Sequence, residues 1–582
     1  MTKKKQSASS LDDENIAKGT EKIFERSSGF LVLGLTGRTG SGCSTVAELL
    51  CKSSFQELQW RALPNPPTNH EDRKDRIVEH WLKERWTKFR KIQVSQVILS
   101  FALEADPDEF TAQFRSKPPS KLRAALEEAH HAASKSLKTL SHVSTAARDA
   151  IIDADKFYFN TLPNLATELK DFLSLSAYTA LFQQLGDNVR RSGSPLKKEI
   201  DPENLFAIPR RIEKLIELGQ RSNELTSTIC HYFVIDAIRH PYEIHYLREK
   251  INRLFIIAVT TDEESRQHRL LHRAVLKSSE IKALDDKEYP KNKRNLTGYD
   301  QFVSQNIQDC ISAADIYISN IGYGSELTDL HDLTRNLCRY IALAQHPGLV
   351  TPTPEERCMQ AAFAVRLNSG CISRQVGAVI TDETFSIKAV GWNDVPLGQV
   401  PCLLRYSHDL YTKQKDYEAF SKFELTDKEF REKGLGAIPA VASKREEIHG
   451  RHITYCFKSV YNELVGEKNQ VHTRSLHAEE NAFLQISKSG GQGISAGFLF
   501  STASPCELCA KKAYQLGISR VYYIDPYPGI SASHIFGAGK NPPDVILFSG
   551  VIGRAYHQLY EPIMPYKDEM ATLLLQQPLP TM

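Results

Sequence analysis

Two short segments in the C-terminal half of the chain carry the residues of a metal site, which constrains the fold around it. The segments are His477-Ala478-Glu479 and Pro505-Cys506-Glu507-Leu508-Cys509. One imidazole and two thiolates fill three corners of a zinc tetrahedron and leave the fourth corner for water. Their lone pairs must converge within about 2.0–2.3 Å of one ion, and helix N-termini are good platforms for this. Pro505 is typical of a helix start, which places Cys506 and Cys509 on one face of the following helix.

The pattern H-x-E…P-C-x-x-C also predicts a reaction. It is typical of zinc-dependent enzymes that deaminate nucleobases. Zinc lowers the pKa of a bound water molecule toward about 7. Glu479 is then the candidate proton carrier, which takes the proton of the water, delivers it to ring N3 and helps protonate the leaving ammonia. A structural zinc knot is the alternative, but it would need a fourth protein ligand and no glutamate. We therefore predict Zn²⁺ and hydrolytic deamination of a cytosine or adenine ring.

Residues from about 355 to 530 resemble the deoxycytidylate (dCMP) deaminase family. The matching stretches are Arg374–Val379, Gly391–Pro396, His477–Ala482 and Pro505–Cys509. The resemblance implies that Asn393 contacts the sugar or the phosphate of the substrate. Trp392 and Asp394 depart from the tyrosine and glycine that are commonest beside this asparagine in the family. An asparagine that stabilises its own turn is the alternative interpretation.

The segment between Pro396 and His477 is long for a loop, which favours a functional role. Some dCMP deaminases hold a second, structural zinc ion with ligands from this region. The resemblance therefore implies Cys402, Cys456 and His472 as candidate ligands of a second zinc ion. Buried apolar cysteines and a surface histidine are the alternative.

A Gly-rich loop near the N-terminus predicts a phosphate-binding site. The apolar run Phe30–Leu35 favours a buried parallel strand, and Thr45–Leu50 has helical spacing. Between them lie Gly37, Arg38, Thr39, Gly40, Ser41, Gly42, Cys43 and Ser44, which fit G-x-x-x-x-G-K-[ST] except that Cys43 replaces the lysine. Backbone N–H groups of such a loop bind phosphate, and Ser44 is placed to reach Mg²⁺. Without the lysine we expect binding of ATP, GTP or another nucleotide rather than phosphoryl transfer. A Gly-rich turn without a ligand is the alternative.

Later segments support nucleotide binding by resemblance. Val234–Arg239 resembles the Walker-B-like strand end of nucleoside kinases and dephospho-coenzyme-A kinases, and Ala314–Asn320 resembles their final strand. Arg266, Arg269 and Arg273 resemble the lid of those kinases. The three arginines are otherwise interpreted as one solvated helix face. Arg38 is a candidate replacement for the missing lysine.

The order of these features predicts an α/β protein with two domains. We expect a flexible tail over 1–28, a P-loop kinase-like domain over 29–345 and a zinc deaminase domain over 350–582. The first domain is predicted to contain a parallel sheet and a helical insertion at about 55–228, and the second to form α/β/α layers. Pro347-Gly348 and Thr351–Pro354 punctuate the chain between them.

This domain order resembles the bacterial anti-phage dCTP deaminases over nearly the whole chain, including the stretch Asp525–Ile530. The resemblance implies conversion of dCTP, and often dCMP, to deoxyuridine nucleotides, which depletes dCTP during phage infection. It also implies a closed homo-oligomer and a nucleotide-binding domain that regulates the deaminase. Any regulatory RNA or protein inhibitor is not readable from the sequence, and neither is the preference between dCTP and dCMP.

Three other functions remain as alternatives. A housekeeping dCMP deaminase would supply dUMP. A nucleic-acid editing deaminase would need a basic stripe with stacking aromatics, whereas the net charge of the 582 residues is only +3. Tyr522, Tyr523 and Tyr527 lie near the motif, but such residues more often pack. A non-catalytic nucleotide sensor would not need Glu479.

The composition predicts a cytoplasmic protein that does not enter a membrane. Met1–Ser7 lead into a polar stretch without the apolar core of a signal peptide, and no apolar run approaches the roughly 20 residues of a membrane span. Eleven scattered cysteines in a chain of this kind favour reduced thiols and metal ligands over disulfides.

Overall fold

The computed structural model describes residues 15–25, 28–114, 116–226, 231–272, 274, 276–288, 298–322, 330–410, 416–436, 448–467, 469–488, 490, 493–525 and 530–574. The chain divides into two compact units. The first consists of Met1–Thr351 together with Arg554–Met582, and the second of Pro352–Gly553.

The first unit contains a parallel β-sheet in which four of the five strands are mostly apolar. They are β1 (Phe30–Thr36), β2 (Arg90–Gln93), β3 (His231–Asp236), β4 (Leu254–Thr260) and β5 (Ile316–Ser319), in the order β5-β4-β1-β3-β2. All four pairings are parallel, and Val32 of β1 lies opposite Phe233 and Leu254 of its two neighbours. Every residue of β4 is buried, as expected where helices cover both faces of a parallel sheet. The strand predicted over Phe30–Leu35 is confirmed; β3 ends within Val234–Arg239 and β5 lies within Ala314–Asn320, the two segments that resemble kinase strands.

Helices make up most of the rest of this unit. They are 15–25, Cys43–Leu50, His70–Arg85, Val94–Ala102, Pro107–Thr111, Ser120–Ser141, Arg148–Lys156, Leu162–Leu173, Leu175–Ser192, Ala207–Leu225, Pro241–Lys250, Glu263–His272, Ser278–Glu288, Asp300–Val303, Ile307–Ser312, His331–Gln345 and Tyr566–Leu574. Among the described residues, no helix combines the length and the apolar character that a membrane crossing requires.

The region predicted as a helical insertion is not wholly helical. It contains β2, which pairs with β3 at the edge of the sheet. This strand has four residues, three of them polar, and only Ile92 is buried. Such a short polar edge strand has no apolar run by which the sequence would show it.

The two ends of the chain also differ from the prediction. Residues 15–25, assigned to a flexible tail, are helical. Phe24 stacks on His346 with ring centroids 4.5 Å apart, and the Thr20 hydroxyl donates to Thr572 Oγ1 at 3.0 Å. His346 Nε2 lies 2.9 Å from Glu569 Oε1. These contacts place 554–582 with the first unit, whereas the sequence assigned this segment to the deaminase domain.

The second unit has a mixed five-stranded sheet. Its strands are β6 (Gly377–Thr381), β7 (Ile387–Trp392), β8 (Phe498–Ala503), β9 (Arg520–Asp525) and β10 (Asp544–Leu547), in the order β10-β9-β8-β6-β7. β6 is antiparallel to β7 and β8, while β8, β9 and β10 run parallel. A short strand, β11, covers Gly550–Val551, and the helices are Pro354–Val365, Lys422–Thr426, Phe457–Val465, Ala478–Lys488 and Glu507–Gln515, with Gly553–Tyr560 beginning at the end of the unit.

The long segment between β7 and the Ala478–Lys488 helix has its own small core. Its buried residues are Leu410, Ala419, Phe420, Leu425, Phe430, Leu435 and Tyr455. Arg405 and Glu424 form an ion pair within it, and both side chains are at most 1% exposed. Tyr455 donates its hydroxyl to the same carboxylate at 2.6 Å. The segment is therefore a folded insertion rather than an extended loop.

Candidate active site

His477, Cys506 and Cys509 meet in the second unit. The Nδ1 atom of His477 lies 3.2 Å from the Sγ atom of Cys506 and 3.4 Å from that of Cys509. A tetrahedral zinc ion with ordinary Zn–N and Zn–S bonds separates its nitrogen and sulfur ligands by about 3.6 Å. The observed spacing agrees with this value to within a few tenths of an ångström. Among the described residues, this is the one group of three or more histidine, cysteine or acidic side chains placed to hold a metal ion.

Two helix starts position these ligands. His477 directly precedes the Ala478–Lys488 helix, which we call the histidine helix. Cys506 is the N-cap of Glu507–Gln515, the cysteine helix, and Cys509 lies in its first turn. A hydrogen bond from Cys509 lowers the pKa of the Cys506 thiol to about 4, while the same bond and burial raise the pKa of Cys509. A thiolate at a helix N-terminus is the form that binds metal. The donor set and its spacing thus fit Zn²⁺.

The histidine helix packs directly on β7 because Gly391 has no side chain. A Cβ atom at this position would lie 2.3 Å from the carbonyl oxygen of Ala478. The amide of Asn481 donates to the carbonyl oxygen of Trp392 at 2.9 Å, and Leu476 N–H donates to the carbonyl oxygen of Asp394 at 2.8 Å. The end of β7 and the residues after it are therefore held beside the metal ligands.

Glu479 lies in the first turn of the histidine helix and is 4% exposed. The Ser501 hydroxyl, from β8, donates to its Oε1 atom at 3.1 Å. Burial raises the pKa of the Glu479 carboxyl above its ordinary value. A carboxyl with a raised pKa holds a proton more readily than an ordinary carboxylate does, which suits a proton carrier. The sequence contained no signal for Ser501.

A cavity of about 270 Å³ opens beside these groups. This volume is near the lower end of the range for small-molecule sites, roughly 300–1,000 Å³. Its lining includes His477, Cys506 and Glu479, and also the cationic side chains of Arg374 and Lys458. Arg374 belongs to a stretch that resembles the family, but the sequence indicated no role for this arginine. Lys458 comes from the insertion, where no motif marked it.

Asn393 also lines this cavity, and its amide is bonded to the backbone at both ends. Its Oδ1 accepts from Val376 N–H at 2.7 Å, and its Nδ2 donates to the carbonyl oxygen of Arg374 at 2.7 Å. The Trp392 indole N–H donates to Asp394 Oδ2 at 3.3 Å. Asn393 therefore joins its own loop to the segment 374–376, so these two bonds do not support the alternative of an asparagine that stabilises its own turn. A substrate contact by this residue stays a prediction.

The second zinc site expected at Cys402, Cys456 and His472 stays a prediction. These three residues do not form a metal-binding group among the described parts of the chain. His472 Nε2 lies 3.7 Å from Glu467, and its ring packs edge-on against Tyr461. Cys402 is buried in the insertion, and Cys456 caps the helix Phe457–Val465. Cys456 also lines the cavity beside the metal ligands.

The Gly-rich loop of the first unit connects β1 to the helix Cys43–Leu50, as predicted. Gly37, Gly40 and Gly42 have φ angles of 158°, 89° and 109°, and Gly42 is the N-cap of the helix. A Cβ atom on Gly37 would lie 2.5 Å from both Ser41 Oγ and the carbonyl oxygen of Val259. Glycine is thus required where the loop turns against β4.

The side chains after this loop have distinct partners. Ser44 donates to Asp236 Oδ2 at 3.1 Å, the hydroxyl–carboxylate pair that commonly holds Mg²⁺. Burial raises the pKa of the Cys43 thiol to about 12, so it carries no charge at neutral pH. Ser41 is buried, and its carbonyl oxygen accepts from Asn320 Nδ2 at 2.7 Å. The position of the lysine therefore holds a neutral group.

The predicted lid arginines lie against the loop rather than in solvent. Arg266 is 1% exposed and donates to the carbonyl oxygen of Thr39 at 3.2 Å. Arg269 donates to the carbonyl oxygen of Gly40 at 3.3 Å. Arg38 forms ion pairs with Glu263 and Asp285. Arg273 lies outside the described residues. The alternative of a solvated helix face is thus wrong for Arg266 and Arg269.

Comparison with known proteins places the second unit in a family. Residues 352–525 match the family model "Cytidine and deoxycytidylate deaminase zinc-binding region". The deoxycytidylate deaminase of Enterobacteria phage T2 is 30% identical over 169 residues, which are 29% of this chain and 78% of the relative. The chain belongs to the cytidine and deoxycytidylate deaminase family.

Two further relatives extend this comparison. The deoxycytidylate deaminase of Enterobacteria phage T4 is 27% identical over 169 residues, or 29% of this chain and 76% of the relative. A crystal structure of the dCMP deaminase from the cyanophage S-TIM5, in complex with dCMP and dUMP, matches with 21% identity and a TM-score of 0.20. That match covers 34% of this chain and 99% of the cyanophage chain. The family model and the two phage relatives make the second unit a cytidine/deoxycytidylate deaminase zinc-binding domain, which supports a hydrolytic deaminase.

Proposed function

We propose that this protein deaminates deoxycytidine nucleotides, dCTP and dCMP, to deoxyuridine nucleotides and ammonia. One observation carries the proposal: two of the three metal ligands, His477 and Cys506, line a single cavity together with the buried Glu479 and two cationic side chains. The relatives are deoxycytidylate deaminases, which supports a cytosine nucleotide as the substrate class.

The residues divide the chemistry between them. His477, Cys506 and Cys509 would hold zinc, which would supply a water molecule acidified to a pKa of about 7. Glu479 would accept one proton from this water as its oxygen bonds to C4, and deliver it to ring N3. It would then take the proton of the new C4 hydroxyl and pass it to the amino group, so that ammonia leaves as the C4–N bond breaks. The Ser501 hydroxyl holds one carboxylate oxygen of Glu479, so the carboxylate keeps one orientation throughout.

Lys458 is the proposed contact for the substrate phosphate. The Arg374 charge is balanced by an ion pair with Asp525. The Lys458 ammonium instead donates to the neutral amide of Gln470 at 3.0 Å. A half-buried ammonium beside an amide keeps its positive charge available to an anion in the cavity. The insertion therefore supplies the group that favours a nucleotide over a nucleoside.

A substrate panel tests the proposal. Purified protein is assayed for ammonia release with dCTP, dCMP, deoxycytidine, CMP and a cytosine oligonucleotide, with and without ATP or GTP. We expect turnover of dCTP and dCMP. Turnover of dCMP without dCTP would favour the housekeeping alternative, and turnover of the oligonucleotide alone would favour nucleic-acid editing.

The proposed biological role is depletion of dCTP during phage infection. The resemblance of the domain order to anti-phage dCTP deaminases supports this role. The test compares dCTP pools and plaque counts in bacteria that express the wild-type protein or Glu479→Gln. Equal pools and equal plaque counts would refute the role. A closed homo-oligomer, a regulatory RNA or protein and a cytoplasmic location stay predictions.

We further propose that the Gly-rich loop of the first unit binds a nucleotide, ATP or GTP with Mg²⁺. Two observations support this proposal: the glycines that open the Cys43–Leu50 helix, and the Ser44–Asp236 pair at its first turn. The neutral Cys43 supports binding without phosphoryl transfer. Calorimetric titration of the full-length protein with ATP or GTP, with and without Mg²⁺, tests it.

A further inference from the structure

A carboxylate from the same chain lies on the Gly-rich loop. Glu288, the last residue of the helix Ser278–Glu288, is fully buried. Its Oε2 atom accepts from the backbone N–H of Thr39 at 3.0 Å. Its Oε1 atom accepts from the Thr39 hydroxyl and from the Arg239 guanidinium. Three donors therefore converge on one carboxylate, two from Thr39 of the Gly-rich loop and one from Arg239.

These donors are of the kinds that bind a phosphate group. Backbone N–H groups of a Gly-rich loop, a threonine hydroxyl and an arginine are the usual partners of phosphate oxygens. Arg239 is fixed toward the same point, because it also donates to Thr39 Oγ1 at 3.3 Å. Glu288 thus stands in for an anionic ligand of the loop.

A second acidic residue of this helix, which we call the acidic helix, neutralises the remaining cations. Asp285 accepts from Arg266 through both oxygens, at 2.9 Å and 2.8 Å, and from Arg38 at 2.9 Å. It lies three residues before Glu288, one helical turn away. The acidic helix therefore places two carboxylates against the loop and its arginines at once.

We propose that the Glu288 carboxylate of the acidic helix occupies the phosphate position of the loop, and that a nucleoside triphosphate binds the loop by displacing it. This inference rests on the proposed nucleotide binding by the first unit. A ligand and Glu288 would need the same Thr39 and Arg239 donors, so the two exclude each other. Only those molecules in which Glu288 has left the loop can bind the nucleotide. The apparent association constant is therefore the intrinsic constant multiplied by the fraction of such molecules.

The first experiment compares Glu288→Gln with Asp286→Asn in the full-length protein. Asp286 lies on the same helix and is exposed, so its substitution removes the same charge without touching the loop. Titration with ATP–Mg²⁺, and with inorganic tripolyphosphate as a probe without a base, measures the dissociation constants. We expect Glu288→Gln to bind roughly 10- to 100-fold more tightly than the wild type, the range for a lost charged hydrogen bond. Asp286→Asn should stay within about twofold of the wild type.

A second experiment uses the wild-type protein, so it does not depend on how a variant folds. Hydrogen–deuterium exchange of residues 278–288 is followed with and without saturating ATP–Mg²⁺. Displacement predicts faster exchange of the acidic helix with nucleotide present. Unchanged or slower exchange at saturation would overturn the proposal.

The outcomes separate this inference from the proposed nucleotide binding. If the wild type and Glu288→Gln bind ATP equally, the loop binds nucleotide but Glu288 does not compete, and only the inference fails. If neither binds ATP or tripolyphosphate at millimolar concentration, both proposals fail, and Glu288 is a permanent partner of the loop.

Discussion

Gly391→Ala is expected to open the zinc site, because β7 and the histidine helix leave no room for a methyl group. A Cβ atom on residue 391 lies 2.3 Å from the carbonyl oxygen of Ala478 and 2.4 Å from the backbone nitrogen of Ala482. Ordinary Cβ contacts begin at 3.4 Å, so the strand and the helix must separate by about 1 Å. The φ angle of Gly391 lies outside the left-handed region, so the effect of the alanine is steric.

The expected losses of stability and turnover in Gly391→Ala follow from the contacts of the histidine helix. Both clashing atoms belong to the helix backbone, so no side chain can rotate away, and we expect about 3 kcal/mol of destabilisation, the upper end for overpacking. His477 directly precedes this helix and moves with it. A displacement of about 1 Å is large beside the 3.2 Å and 3.4 Å that separate its Nδ1 atom from the two sulfur atoms. A misplacement of this size costs roughly 10²-fold in turnover.

The assay measures zinc per protein by elemental analysis, ammonia release from dCMP, and the free energy of unfolding in urea. Gly493→Ala is the matched control, because a Cβ atom there meets nothing within 4 Å and no positive φ is involved. Zinc content and turnover of Gly391→Ala within twofold of Gly493→Ala would refute the steric argument.

The other predictions concern single side chains of the second unit. Glu479→Gln should keep zinc and lose roughly 10²–10⁴-fold in turnover, whereas Cys506→Ser should lose both, as measured by elemental analysis and ammonia release; full activity of Glu479→Gln would exclude the proton carrier. Lys458→Ala should raise KM for dCMP about 10- to 100-fold with kcat nearly unchanged. Lys422→Ala, at an exposed position, is the control and should change neither KM nor kcat. A fall in kcat alone would contradict a phosphate contact. Arg405→Ala leaves the buried Glu424 without its cation and should lower the free energy of unfolding by about 3–5 kcal/mol in a urea titration; unaltered stability would argue against this buried pair.

The residues of the metal site were predictable because their chemistry restricts their type and spacing. Histidine and thiolate ligands must project from helix starts toward one ion, and His477, Cys506 and Cys509 do so. The buried strands were predictable for a related reason, since parallel strands covered on both faces need continuous apolar runs such as Leu254–Thr260.

The candidate ligands of a second zinc ion show why residue type alone does not define a metal site. Cys402, Cys456 and His472 are plausible ligands by type, but no short motif relates them in the sequence. A cysteine can pack as a small apolar residue, and a histidine can bind a carboxylate or pack against a ring, as His472 does. Residue type without a constrained spacing therefore did not decide the ligands.

Long-range electrostatic partners were decided only when the chain folded. Lys458 reaches the cavity through an insertion with its own core, and Glu288 reaches Thr39 across 249 residues of chain. An ammonium or a carboxylate accepts many partners at many separations, so no local pattern selects one. Coordination geometry is strict, so the ligands of a metal site come from short motifs that the sequence shows. A charged side chain can pair with many partners, so its partner depends on which surfaces packing brings together.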